Sequence, residues 1–226
     1  MSALVATAIV KTFGTGEAET RVLRGISMTI ADGEFVALVG PSGSGKSTFL
    51  SIAGTLLTPT SGTLDVANVT ALGLPERDLA QLRNRHLGFV FQFHHLLADF
   101  TALENVLMPV YGARARIDAA SRARAHMLLD RVGLATRISF RPAALSGGQR
   151  QRVAVARAMI MKPELVLADE PTGNLDRASS NEVIALLREI SRDERTAFLL
   201  STHDETIARR CDRIVTMEDG RIILGS

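Results

Sequence analysis

Disulfide staples, membrane spans and low-complexity tracts are all missing from this sequence of 226 residues. A single cysteine, Cys211, has nothing to pair with inside the chain. That excludes an internal disulfide framework and fits a reducing compartment, with Cys211 expected as a small core thiol. No run approaches the ~18–20 uninterrupted apolar residues of a membrane-spanning helix, so the chain is not expected to cross a bilayer by itself. The opening residues, Met1-Ser2-Ala3-Leu4-Val5, lack the basic and apolar regions of a secretory signal. There is no tryptophan and one tyrosine, and only Lys11, Lys46 and Lys162 among the 26 basic residues are lysines. No internal repeat or linker divides the chain.

What is present describes a folded domain. With 46% hydrophobic and 22% charged residues, the chain can bury a sizeable core and is not disordered. Its length fits one large domain or two lobes sharing a core. The formal charge is +2, yet residues 76–141 carry 10 arginines against 6 acids. Such a stretch is compatible with a nucleic-acid face or with an arginine-rich solvated surface, and the second is the commoner case.

The residue pattern predicts strands over Val5–Phe13 and Val22–Ile30, joined by a hairpin loop at 14–17. Phe35–Val39 is a continuous apolar run, as expected of a parallel strand covered on both faces. Lys46–Ala53 reads as a helix stopped by Gly54 and Pro59. Around Asp118–Val132, the residues Ala125, Leu128, Leu129 and Val132 form one apolar stripe. Beyond it, apolar strands at Glu164–Ala168 and Thr196–Ser201 flank a helix over Ser179–Ser191. Arg213–Met217 and Arg221–Leu224 flank a hairpin turn. Apolar strands alternating with amphipathic helices predict an α/β domain with a largely parallel sheet and a helical insertion.

Three segments carry chemistry. The run Gly40-Pro41-Ser42-Gly43-Ser44-Gly45-Lys46-Ser47-Thr48 matches G-x-x-x-x-G-K-[ST] after a strand and opening a helix, the context that pattern requires. Its glycines let backbone N–H groups turn toward phosphate oxygens, and the helix N-terminus adds partial positive charge. Lys46 is expected at the β- and γ-phosphates and the Ser47 hydroxyl on Mg²⁺. The strand Leu165–Ala168 then delivers adjacent carboxylates. Asp169 suits a Mg²⁺-water contact, and Glu170 suits a water aimed at the γ-phosphate, an acid a phosphotransferase would not need. Third, Leu145-Ser146-Gly147-Gly148-Gln149 precedes a helical stretch and presents a hydroxyl, amides and a helix N-terminus.

With this third segment the sequence resembles the ATP-binding-cassette (ABC) ATPases, and further marks follow in that family's order. The resemblance runs from about Phe13 to Gly220. It implies a P-loop NTPase fold with a RecA-like core, an antiparallel β subdomain and an inserted α-helical subdomain. One ATPase domain is expected over 1–226, its β subdomain and core in 1–92 and 160–226, and its helical subdomain near 93–159. Phe13 stands where many members carry an adenine-stacking tyrosine. Gln92 matches the glutamine that contacts Mg²⁺ and the attacking water, Asn174-Leu175-Asp176 the loop crossing the dimer interface, and His203 the γ-phosphate-sensing histidine. ATP and Mg²⁺ are the implied substrate and metal, and a homodimer is implied in which Leu145–Gln149 face the ATP of the partner subunit.

The intervening 53 or so residues after Gln92 hold no cysteine cluster and no sustained heptads, unlike nucleic-acid-associated members, so no nucleic acid is expected as partner. The segment Gln92–Val106 resembles the lipoprotein-releasing branch of the family. In that branch Phe93, His94, His95, Leu96, Leu97 and Phe100 are expected against integral membrane permease subunits (LolC/LolE-like, or MacB- or FtsX-like). Efflux and division-associated cassettes share this membrane-subunit type, and they remain alternatives. The implied location is peripheral, on the cytoplasmic side of a bacterial inner membrane. A metal site at His94 and His95 is disfavoured, because adjacent histidines diverge and no third ligand accompanies them.

Overall fold

A computed structural model describes residues 2–114 and 116–225. Two sheets organise it. The first pairs β1 (Ser2–Phe13) with β2 (Thr20–Ala31) in an antiparallel hairpin. On β2, Ile26, Met28 and Ile30 are buried while Ser27 and Thr29 are exposed, the two-residue alternation of a sheet with one dry face. The second sheet contains β3 (Phe35–Val39), whose first four residues are all buried. Between the sheets runs α1 (Lys46–Ala53), with Phe49, Leu50, Ile52 and Ala53 buried. The chain then returns to the first sheet as β4 (Ser61–Val66) and β5 (Val69–Thr70), giving the order β2-β1-β4-β5.

A helix α2 (Glu76–His86) leads into β6 (Leu87–Phe91), the edge of the second sheet. Three helices follow: α3 (Ala102–Arg114), α4 (Ala119–Arg131) and α5 (Gly147–Met159). The chain then forms β7 (Leu165–Asp169), α6 (Arg177–Glu194), β8 (Ala197–Thr202) and the short α7 (Glu205–Ala208). It closes with the β9 (Arg213–Glu218) and β10 (Arg221–Gly225) hairpin. The second sheet is ordered β10-β9-β3-β8-β7-β6, parallel throughout except for β10.

The two faces of this sheet build two cores. Val36, Leu38, Leu165, Leu167 and Leu199 pack with α1 and the first sheet. Phe35, Val166, Ala168, Phe198 and Leu200 point the other way, into α3, α4, α5 and α6. Period-2 alternation along each strand thus splits the same residues between the two layers. Phe35 and Phe198 stack across the β3–β8 pair with ring centroids 5.1 Å apart.

Helix starts follow local chemistry. Asp118 caps α4 by accepting from the Ser121 N–H, and Asp176 caps α6 by accepting from the Ser179 N–H. Arginines join the helices: Arg124 donates to the carbonyls of Met159 and Ile160 and to Glu194, and Arg131 pairs with Glu189, Asp193 and Glu194. Part of the arginine surplus in 76–141 is therefore directed inward at α6. Among the described residues, no helix is long and apolar enough to cross a membrane.

Cys211 packs against the helical-face core, and its Sγ–H points at the Ile207 carbonyl. Burial pushes its thiol up to about 12. Iodoacetamide at pH 8 should therefore label Cys211 slowly in the native protein and rapidly after denaturation, because the thiolate is the reactive form. Fast native labelling, read by mass spectrometry, would contradict this packing.

Candidate active site

The phosphate-binding-type loop spans the gap between β3 and α1. Its first glycine sits against the sheet, where a β-carbon on Gly40 would overlap the Met217 carbonyl oxygen. Gly43 has a φ of +82°, and no atom lies within 4 Å of where a β-carbon would stand, so its backbone is turned to open space. The loop is anchored by Ser44 N–H donating to the Pro41 carbonyl at 3.3 Å and by Gly220 N–H donating to Ser44 O at 3.1 Å. The Ser44 hydroxyl is buried with no hydrogen-bond partner. Lys46 curls under the loop, and its ammonium donates to the carbonyls of Gly40 (2.8 Å) and Pro41 (2.9 Å).

Strand register places the remaining groups. Phe91, Asp169 and Ser201 lie side by side across β6, β7 and β8, and Val39 pairs with Thr202 across β3 and β8. The residues that end or follow these strands therefore emerge at one edge, as ligand sites of parallel sheets do. Gly40–Gly43, Gly45, Lys46, Ser47, Thr48, Gln92, Glu170 and His203 line one cleft there, of about 650 Å³. Asp169 joins through Ser47, whose hydroxyl donates to Asp169 Oδ1 at 3.2 Å.

Ser201, which the residue pattern does not single out, organises the two acids. Its buried hydroxyl donates to Asp169 Oδ1 at 2.6 Å and accepts from the Glu170 N–H at 3.0 Å. Glu170 itself adopts left-handed backbone (φ +46°), a conformation costing a non-glycine residue about 1 kcal/mol or more, fixed here by that bond. The only sequence signal was a polar residue ending an apolar strand. Glu170 accepts from His203 Nδ1–H at 2.8 Å, and the His203 side chain is 74% exposed against 23% for Glu170. Gln92 Nε2–H donates to Asn174 Oδ1 at 3.0 Å, and Asn174 Nδ2–H returns to the Gln92 carbonyl at 3.3 Å.

Other candidates lie apart from the cleft. Ser146 and Gln149 form a reciprocal capping box at the start of α5, with Gly147 and Gly148 beside Leu175 and Ser179. Leu145 is buried in the helical-face core. Within one chain these residues do not line the cleft. Leu175 packs on the same core, while Asp176 is held below the usual carboxylate range by hydrogen bonds from the Ser179 side chain and backbone. Phe13 is 43% exposed, with the Lys11 ammonium 5.0 Å from its ring centroid, and is not among the cleft residues.

The segment after Gln92 divides in two. Phe93, Leu97 and Phe100 are exposed large hydrophobics, and His95 is exposed with its ring edge-on to Phe91 at 5.0 Å. Leu96 packs against the core instead. His94 also turns inward: Nδ1 faces the Gln92 carbonyl and Nε2 the Gly147 carbonyl, each at 3.1 Å. Burial pushes the His94 pKa down, outweighing the two carbonyls that favour its protonated form. A separate groove of about 530 Å³ is lined by Leu56, Phe89, Phe91, His95, Met108 and Met161, among others.

Removing the Ser201 hydroxyl leaves a buried N–H without a partner and deprives Asp169 of a donor. Ser201→Ala should lose about 1–2 kcal/mol of stability in denaturant unfolding and about tenfold in ATP turnover through the displaced Glu170. Unchanged turnover would remove Ser201 from the site.

Residues 23–173 match the family model described as ABC transporter. The chain is 56% identical to the lipoprotein-releasing system ATP-binding protein LolD 1 of Caulobacter vibrioides over 95% of its own length and 92% of that protein's. It is 51% identical to the LolD protein of Bordetella pertussis, over 97% and 95% of the two chains. Among solved structures, the ATP-binding cassette MJ0796, in a dimeric post-hydrolysis state bound to ADP and Pi, superposes with a TM-score of 0.90. That match is at 36% identity and covers 99% of this chain and 97% of that one. A strand-edge cleft built on the Gly40–Thr48 loop, a capped Ser146 helix and these likenesses converge: the chain is an ATP-binding cassette of the ABC transporter family and belongs to its LolD branch.

Proposed function

We propose that this chain is the ATP-hydrolysing subunit of an inner-membrane complex that releases lipoproteins from that membrane. In this reading it acts as a homodimer on the cytoplasmic face, against permease subunits of the LolC/LolE type. The observation that carries the ATPase chemistry is the convergence of Lys46, Ser47, Gln92, Glu170 and His203 on one cleft. The likeness to the lipoprotein-releasing protein of Caulobacter vibrioides, along 95% of the chain, supports the assignment of the task over efflux or mechanotransmission.

The substrate's phosphates lie in the Gly40–Thr48 loop, where backbone N–H groups and the α1 N-terminus meet their charge. Lys46 exchanges its two loop carbonyls for the β- and γ-phosphate oxygens, and Phe13 stacks on adenine. The donor set fits Mg²⁺: Ser47, Asp169 and Gln92 offer oxygen, and no cluster of three or more His, Cys, Asp or Glu among the described residues forms a cage. That suits an ion that keeps waters and phosphate oxygens in its shell. Ser47 and Gln92 would hold it directly and Asp169 through water, and the bound ion would neutralise charge on the phosphates.

Glu170 accepts a proton from the attacking water as its oxygen bonds the γ-phosphorus and the bond to the ADP oxygen breaks. His203 gives a ring N–H to a γ-phosphate oxygen. The remaining contacts come from Leu145–Gln149 of a second copy, and the loop Asn174–Asp176 crosses between the two. A symmetric head-to-tail pair thus completes two equivalent sites. Because only the closed pair supplies both halves, ATP favours closure and hydrolysis reopens it. The 93–159 helical subdomain transmits the motion, with exposed Phe93, His95, Leu97 and Phe100 and the neighbouring apolar groove receiving the membrane subunits.

Glu170→Gln should bind ATP, accumulate as a dimer by light scattering and lose at least about 100-fold in phosphate release. A monomeric, or fully active, variant would contradict the reading. Docking has its own test at Leu56, which is 54% exposed at the groove. Leu56→Asp should reduce capture of detergent-solubilised membrane subunits about tenfold or more, since a charge must be desolvated there; undiminished capture would move docking elsewhere.

A further inference from the structure

The turn after β6 is gripped by α5 from three directions. Gln151, fully buried on α5, donates through Nε2 to the Phe91 carbonyl at 3.3 Å. Further along the helix, the Arg157 guanidinium donates to the carbonyls of His94 (2.8 Å) and His95 (2.6 Å). A cation directed at two backbone carbonyls is a charge-assisted grip, stronger than a neutral pair. His94 closes the third side, with its ring between the carbonyls of Gln92 and Gly147. Both carbonyls only accept and a neutral imidazole carries a single N–H, so the ring bonds one of them, and Nε2–H on Gly147 is the bond that reaches α5.

These two carbonyls belong to different halves of the chemistry. Gln92 lines the cleft of its own chain. Gly147 is the first residue of α5, in the segment that lies outside that cleft. The ring itself lies in a recess of about 300 Å³ with Phe93, Leu96, Pro142, Arg150 and Asn174 rather than in the apolar core.

We propose that His94 is a positioning residue whose ring N–H, bonded to the Gly147 carbonyl, ties the turn that begins at Gln92 to the start of α5, so that the group facing this chain's ATP and the segment facing the partner's ATP move as one body. The proposal rests on the two-copy ATP site described above. Through this tie, occupancy of one ATP site is felt at the other. Nucleotide affinity of a single chain, which is set by the Gly40–Thr48 loop, does not depend on it. The effect belongs in turnover and in cooperativity between sites.

The test compares purified wild type, His94→Ala and His94→Gln for ATP hydrolysis across ATP concentrations, alongside ATP binding to the monomer. His94→Ala should lose about 3- to 10-fold in kcat, the scale of one hydrogen bond, with KM changed less than about twofold. Its Hill coefficient should fall toward one. His94→Gln, which keeps an N–H donor of similar reach, should recover most of both. If His94→Ala fails to fold, His94→Phe carries the same expectation, since it keeps an aromatic ring and loses the N–H donor. A His94→Ala enzyme with wild-type kcat and cooperativity overturns the tie, as does a His94→Gln enzyme no better than His94→Ala. A Glu170→Gln protein that stays monomeric with ATP overturns the two-copy reading itself, and the tie with it.

Discussion

Parallel register across β6, β7, β8 and β3 is the constraint on which the site depends. It sets Phe91, Asp169 and Ser201 in one row and Val39 beside Thr202, so that Gly40, Gln92, Glu170 and His203 leave the sheet at adjacent points. Those groups come from positions far apart in the chain, and no local preference could bring them together. A slip of one residue in any strand would invert its side chains and send Leu199 or Val166 into the wrong core. The continuous apolar strands thus specify chemistry as well as stability: burial on both faces leaves one permitted register.

Ser201 adds the fine adjustment. A single hydroxyl joins Asp169 Oδ1 to the Glu170 N–H and so fixes both acids against a backbone turn that a glutamate would not adopt unaided. Asp169 and Glu170 are thereby held in different orientations although they are neighbours in sequence. The Leu145–Gln149 segment opens α5, whose capped N-terminus does not line the cleft of its own chain. Gln151, Arg157 and His94 fasten that helix to the turn beginning at Gln92. Local strain, helix capping and hydrogen-bonded turns thus join the cleft to the start of α5.

Much of this was legible in the residues. The Gly40–Thr48 spacing placed the loop and α1 correctly, and the helix begins and ends at Lys46 and Ala53 as read. The stripe around Asp118–Val132 located α4, whose start is capped by Asp118. The return strand β4 was not anticipated, because Ser61-Gly62-Thr63 has turn chemistry and its pairing partner is fifty or so residues earlier. The facing of Gln92–Phe100 was not legible either. Adjacent residues there diverge according to turn angles, such as the left-handed φ of +49° at His95, which tertiary contacts impose. One resemblance placed His94 and Leu96 with the membrane-facing residues; in the fold their side chains turn inward, toward Gly147 and the core. Ser201 and Arg157 escaped notice because a serine in a strand and an arginine on a helix are ordinary until their partners are known.

In the proposed reaction, one chain holds only half of each ATP site, and everything else about the cycle follows from that division. Lys46→Ala disables the loop half and Ser146→Arg the signature half, so each variant alone should be inactive. Mixed together, they can form a pair in which the intact loop of one faces the intact signature of the other. ATP hydrolysis should therefore reappear on mixing. A mixture as inactive as its components, with dimers formed between the two variants, would contradict the shared site.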